Sequence, residues 1–229
     1  MTRSNEAEIA HQAKTPQAAA VAGIAFAVLF AAGIALVRLG ADGLGGGEGP
    51  DEAALGRLGL AMALMPFAGI AFLWFLGVVR HHLGQYEDQF FATVSLGSGL
   101  LFVAMSFVAF AIAGSMVTVY GRGGQLTADA YALNRAIIDQ IFNTYALKMA
   151  SVFMFSLGTI WRKTGVMPRS LTLVTYGLAL VMMVSLSRNL WLALLFPAWV
   201  LLISVAILLS LIHISEPTRR TPISYAVFC

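Results

Sequence analysis

The chain has 229 residues, of which 59% are apolar and only 11% charged, and it carries a formal net charge of +3. A water-soluble domain keeps its charged share near a quarter, so this balance calls for lipid as the solvent of much of the chain. The basic residues are scattered rather than gathered on one face, which excludes a nucleic-acid footprint.

The first segment, Arg3 to Gln17, is polar and too acidic for an export signal. The apolar run that follows has no persuasive cleavage pattern, so a retained first helix is expected at 18–37. Along it Ala19, Gly23, Ala27, Ala31 and Ala35 recur every fourth residue, beside a row bearing Phe26 and Phe30. In lipid, helices associate through close packing, so this small face is expected to be covered by another helix of the chain, a second copy or a membrane partner. The loop after it contains GLGGGEGPDE. No Gly-Lys-Ser/Thr follows and no strand precedes it, so it reads as a flexible acidic linker rather than a phosphate loop.

A spanning helix needs about 20 mostly apolar residues, and further spans are predicted at 58–79 and 91–119. The third window exceeds the bilayer core at about 1.5 Å per residue, which predicts tilt or projection. Between them RHHLGQYEDQ places His81 and His82 before Glu87 and Asp88, without the spacing of a metal site. The carboxylates are expected to cap the third span and the histidines to be solvated. No nucleophile is paired with a base, so no enzymatic set is visible and no cofactor is implied.

After the third span Thr127 is placed to cap a helix, with Asp129 in its first turn. Leu126, Ala130, Leu133, Ile137 and Ile141 then recur at helical spacing. An external amphipathic helix is predicted there, continuous with a fourth span at 142–161. To reach membrane length that span must take in Asn143, Thr144, Tyr145 and Lys148, because the apolar stretch from Met149 to Trp161 is too short. An ammonium costs about 2.5–3.5 kcal/mol at the centre of a membrane helix. Lys148 lies about 20 Å from the Trp161 end by helix rise, and no intramembrane carboxylate is in view. Two readings stay open: the side chain snorkels outward, or it lines a polar cavity with Asn143, Thr144 and Tyr145 that binds a small anionic solute.

Spans at 171–187 and 190–208 complete six, separated only by Arg188 and Asn189, which forces an antiparallel hairpin. Pro66 and Pro197 fall inside the second and sixth spans and predict kinks. Trp74, Trp161 and Trp191 lie near predicted helix ends, as interface anchors do; Trp199 does not. Lys and Arg in short loops set orientation. Arg3, Lys14, Arg80, Arg162, Lys163 and Arg169 fall on one side, whereas Arg38, Arg57, Arg122, Arg135 and Arg188 share the other with six acidic residues, Asp42, Glu48, Asp51, Glu52, Asp129 and Asp139. The bias predicts cytoplasmic termini in a cell-membrane protein.

The end of the chain reads LSLIHISEPTR, then Arg220, Thr221 and Pro222, then ISYAVFC. Residues 209–229 resemble the in-frame translation of a sequencing-library adapter, which implies read-through in place of the natural C-terminus. The only cysteine, Cys229, lies there, so neither disulfide nor thiol chemistry is expected of the rest. Only three of the fourteen basic residues are lysines, a bias typical of GC-rich bacterial genes.

The stretches FLWFLGVVR, EDQFFATVSLGSGLLFVAM, NTYALKMASVFM, RKTGVMPRSLTLVTYGLAL and FPAWVLLISVAIL resemble a recurring family of uncharacterised multi-pass bacterial membrane proteins over residues 60–208. The resemblance implies signature positions at 87–91, 143–148 and 165–169 without assigning them an activity. The expected fold is all-α: a single polytopic bundle over 1–208 with six transmembrane helices and an external amphipathic helix. The expected role is that of a structural or partner-binding membrane subunit; the alternative is a small-solute transport or binding module around Lys148.

Overall fold

The computed structural model describes residues 2–41, 51–83, 89–185 and 190–215, with side chains over 17–40, 51–80, 89–185 and 192–210. The acidic linker at 42–50, the His81 and His82 side chains, Glu87, Asp88, Arg188, Asn189, the Trp191 side chain and tail residues 216–229 lie outside the described residues. Every regular element among the described residues is helical, without a strand: α1 Thr2–Ala41, α2 Glu52–Leu83, α3 Gln89–Gly121, α4 Ala128–Asp139, a π-helical segment Gln140–Ala146, α5 Leu147–Thr164, α6 Arg169–Val184, α7 Leu190–Ala193 and α8 Leu195–Ser215.

Three helices are long and apolar enough to cross a membrane: Gln17–Gly40 of α1, Glu52–Arg80 of α2 and the whole of α3, with mean hydropathies of 2.6, 2.1 and 2.3. The expected spans at 18–37, 58–79 and 91–119 fall within them. Helix α3 has 33 residues and measures about 50 Å by helix rise, so the long third window is one unbroken helix. Helix α6 is apolar but shorter, with 16 residues, and it stops at Val184 rather than running to 187.

Local chemistry explains the ends. Asp51 accepts the Ala53 amide at 3.3 Å and Glu52 sits in the first turn of α2, where a carboxylate opposes the positive helix end. Thr127 caps α4 as its sequence implies, its hydroxyl oxygen accepting the Ala130 amide at 3.2 Å. From there the chain stays helical through the π segment to Thr164. Gly165 ends α5 at φ 68°, its N–H bonding to Trp161 O at 2.9 Å. That left-handed position suits glycine, and Pro168 with its fixed φ then leads into α6. Helix α2 runs on through Pro66 as one helix. The sixth predicted span is divided instead, with a turn at Leu194 separating α7 from α8. Pro197 stands in the first turn of α8, where its missing donor is tolerated.

Packing is arranged around aromatic rings. Helix α1 lies between α2 and α8, α3 between α2 and α5, and α5 between α3 and α6. Phe26 and Phe30 of α1 meet Phe72 of α2, Phe102 of α3 and Phe196 of α8, with ring centroids as close as 4.7 Å for Phe102 and Phe196. Most of these pairs are tilted or edge-on, the arrangement that ring quadrupoles favour. Trp199, 1% exposed, stacks on Phe196 and meets Phe153 edge-on. Trp161 is buried beside Trp199 instead of standing outward as an interface anchor, because the α5 turn that carries it faces the bundle. Trp74, 72% exposed, does point outward.

The buried polar residues described are all serines and threonines: Ser95, Ser98, Ser106, Ser151, Ser156, Thr172, Thr175 and Ser204. Most satisfy themselves on the preceding turn, as Ser151 does on Leu147 O and Thr175 on Leu171 O, both at 2.9 Å. Large apolar side chains cover the outside, among them Val21, Val28, Phe67, Ile70, Leu173 and Val184. Hydroxyls within and hydrocarbon without is a distribution suited to lipid rather than water.

Candidate functional site

Lys148 begins the site. It lies in the first turn of α5, directly after the π segment, and is part-buried. Its ammonium donates to Met182 O at 2.9 Å and to Ser185 O at 2.7 Å. Those carbonyls belong to the C-terminal end of α6, where Ser185 has left the helix at ψ 123°. The last carbonyls of a helix have no intrahelical donor and carry the negative end of its dipole. A cation with three donors is therefore well matched to this end of α6, where it meets two backbone acceptors.

The meeting follows from hairpin geometry. Gly165 and Pro168 turn the chain midway in sequence between Lys148 and Ser185, so antiparallel packing of α5 on α6 sets the two positions side by side. Arg57 repeats the device at the top of the first hairpin, donating from Nη1 to Leu39 O at 3.2 Å near the end of α1. Lys148 and Arg57 thus each reach a carbonyl near a helix C-terminus. Among the described residues no carboxylate lies within ion-pair distance of Lys148, and residues 140–215 contain no acidic side chain.

The other candidate residues line the turn next to Lys148 without closing a cavity over it. Asn143 is half-buried, and its Oδ1 has no hydrogen-bond partner. Thr144 is exposed and Tyr145 is 53% exposed. On either side of them Phe142 and Ala146 turn inward, with Phe142 stacked on Phe30 at 6.3 Å. A separate hollow of about 10 Å³, no more than one water, lies between α1, α2 and α3. Phenylalanines and Met65 line it together with Ser106, whose buried hydroxyl has no partner.

No protein-family model, curated protein or solved structure matches the chain. The site therefore rests on its own geometry.

That geometry adds residues that sequence reading did not single out. Met182 and Ser185 act through backbone oxygens, which no side-chain pattern advertises. Thr175 accepts the indole N–H of Trp199 at 2.9 Å and so ties α8 to α6. Helix α4 also differs in detail from its sequence pattern. Leu133, 63% exposed, and Ile137 stand outward, whereas Tyr131, Asn134 and Ile138 turn toward the bundle. The π segment is a local change of helical repeat, and it separates the face of α4 from that of α5. The row of small residues on α1 is divided: Ala19, Gly23 and Ala27 are buried within the chain, Ala31 is half-buried and Ala35 exposed. At Gly23 any Cβ would collide with Ser204 Oγ, so glycine permits the close approach of α8 there.

Proposed function

We propose that this chain is a six-span integral membrane protein of structural or partner-binding role, with both termini cytoplasmic. The spans are α1, α2, α3, the continuous α4–π–α5 helix, α6 and the α7–α8 unit, and α4 stands at the outer surface with Leu133 and Ile137 toward the lipid boundary. The engagement of Lys148 carries the role. Its charge is committed to the terminal carbonyls of α6, so the costliest group in the membrane is used to hold two helices together. A short α6, about 24 Å by helix rise, ends before the outer hydrocarbon boundary, and Lys148 meets its terminal carbonyls there. The ammonium and the carbonyls relieve each other. A solute path through Lys148 would have to break both bonds at every passage.

Topology is tested with single cysteines in a Cys229→Ser background. Asp129→Cys should react with a membrane-impermeant maleimide added to intact cells, and Arg162→Cys only after permeabilisation. Equal labelling of both in intact cells would overturn the six-span arrangement.

A further inference from the structure

We propose that the end of the bundle bearing Arg80, Arg162, Lys163 and Arg169 is a docking surface for anionic phospholipid headgroups, with Arg162 and Arg169 as its main contacts. Charges are divided unevenly between the two ends. At the end where α1 passes to α2 and α3 to α4, the cations Arg38, Arg57, Arg122 and Arg135 stand with the acids Asp51, Glu52, Asp129 and Asp139. At the opposite end the charged side chains among the described residues are all cations, and Arg80, Arg162, Lys163 and Arg169 are all exposed. Glu87 and Asp88, outside the described residues, precede α3 at that end, and the acids and bases from Arg3 to Lys14 cancel in number. With these counted, the end is still basic.

The fold gathers these cations from separate helices. Arg162 and Lys163 lie in the last turn of α5, Arg169 begins α6, and the Gly165–Pro168 turn joins the two. The Lys163 ammonium lies 4.7 Å from the centre of the Phe91 ring, which sets the first turn of α3 beside the last turn of α5. Arg80 stands near the C-terminal end of α2, which packs on α3. Lys163 is thus engaged within the bundle, and the arginines carry the surface. A guanidinium presents a planar fork of donors that matches phosphate oxygens in pairs. Phe90, 68% exposed, and Val166, 55% exposed, stand among the cations. Basic groups interleaved with exposed apolar side chains fit the layer where lipid phosphates meet acyl chains. The inference rests on the membrane reading, which sets this end at a headgroup layer, and not on which leaflet that layer belongs to.

The test is native mass spectrometry of the full chain in detergent, titrated with dioleoyl phosphatidylglycerol or dioleoyl phosphatidylcholine. The parent should bind the anionic lipid at least fivefold more tightly than the zwitterionic one, with the preference shrinking as ionic strength rises. Arg162→Gln/Arg169→Gln should bring the preference below twofold, whereas Arg122→Gln/Arg135→Gln, at the other end, should leave it as in the parent. Equal binding of the two lipids by the parent, or equal losses in the two double variants, overturns the proposal. The cysteine labelling reports topology separately, so failure of this surface and failure of the six-span arrangement are distinguishable.

Discussion

The Lys148 ammonium donates a 2.7 Å hydrogen bond to the carbonyl of Ser185, the residue at which α6 leaves its helix. A second bond, to Met182 O, makes the contact a two-point cap. Helices α5 and α6 are thus joined at one end by the Gly165–Pro168 turn and at the other by a lysine, with the Thr159 and Tyr176 hydroxyls 3.1 Å apart between them.

The buried Trp199–Thr175 bond should be the main polar tie between α8 and α6. Thr175→Val keeps the volume but leaves the indole N–H without an acceptor, which costs about 1–3 kcal/mol when buried. Thermal unfolding in detergent should register this loss, whereas Trp199→Phe leaves Thr175 bonded to Leu171 O and loses mainly ring contacts. Equal stability of Thr175→Val and parent would show that the bond does not matter.

Much of this architecture is legible in sequence and some is not, for physical reasons. The apolar windows locate α1, α2 and α3 because length and hydropathy suffice for a helix that is apolar all round. Thr127 declares the start of α4 because a cap is local chemistry. The partner of Lys148 is hidden because it is backbone, and finding it requires knowing that α6 ends at Val184, short of the Arg188 and Asn189 that mark the polar gap. Trp161 and Trp199 look like edge and span residues in a string, yet both belong to the ring cluster. The side toward which a membrane helix turns its aromatics is a tertiary fact, since lipid and core are equally apolar.

Close approach of α1 and α8 depends on Gly23. Gly23→Leu would drive a side chain into Ser204 and Phe75, and overpacking of this kind costs about 1–3 kcal/mol or more. Ala35→Leu, on the exposed part of the same row, should change stability by no more than about 0.5 kcal/mol. Comparable losses from the two substitutions would mean that the row contacts something outside the described chain along its whole length.

Ser106 should be better as alanine. Its hydroxyl is buried beside the small hollow without a partner, and an unsatisfied buried hydroxyl is unfavourable by about 1–3 kcal/mol. Ser106→Ala should therefore leave the unfolding temperature unchanged or raise it. A clear drop would show that the hydroxyl has a partner, such as a bound water.

The most direct test of the account is the thermal stability of Lys148→Met and Lys148→Arg in detergent, read beside the parent. Methionine fills similar space but removes the ammonium's two hydrogen bonds to the Met182 and Ser185 carbonyls, so a loss of about 1–3 kcal/mol is expected. Arginine, which keeps charge and donors, should retain more than half of that difference. A Lys148→Met protein as stable as the parent would contradict the claim that this lysine holds α5 to α6.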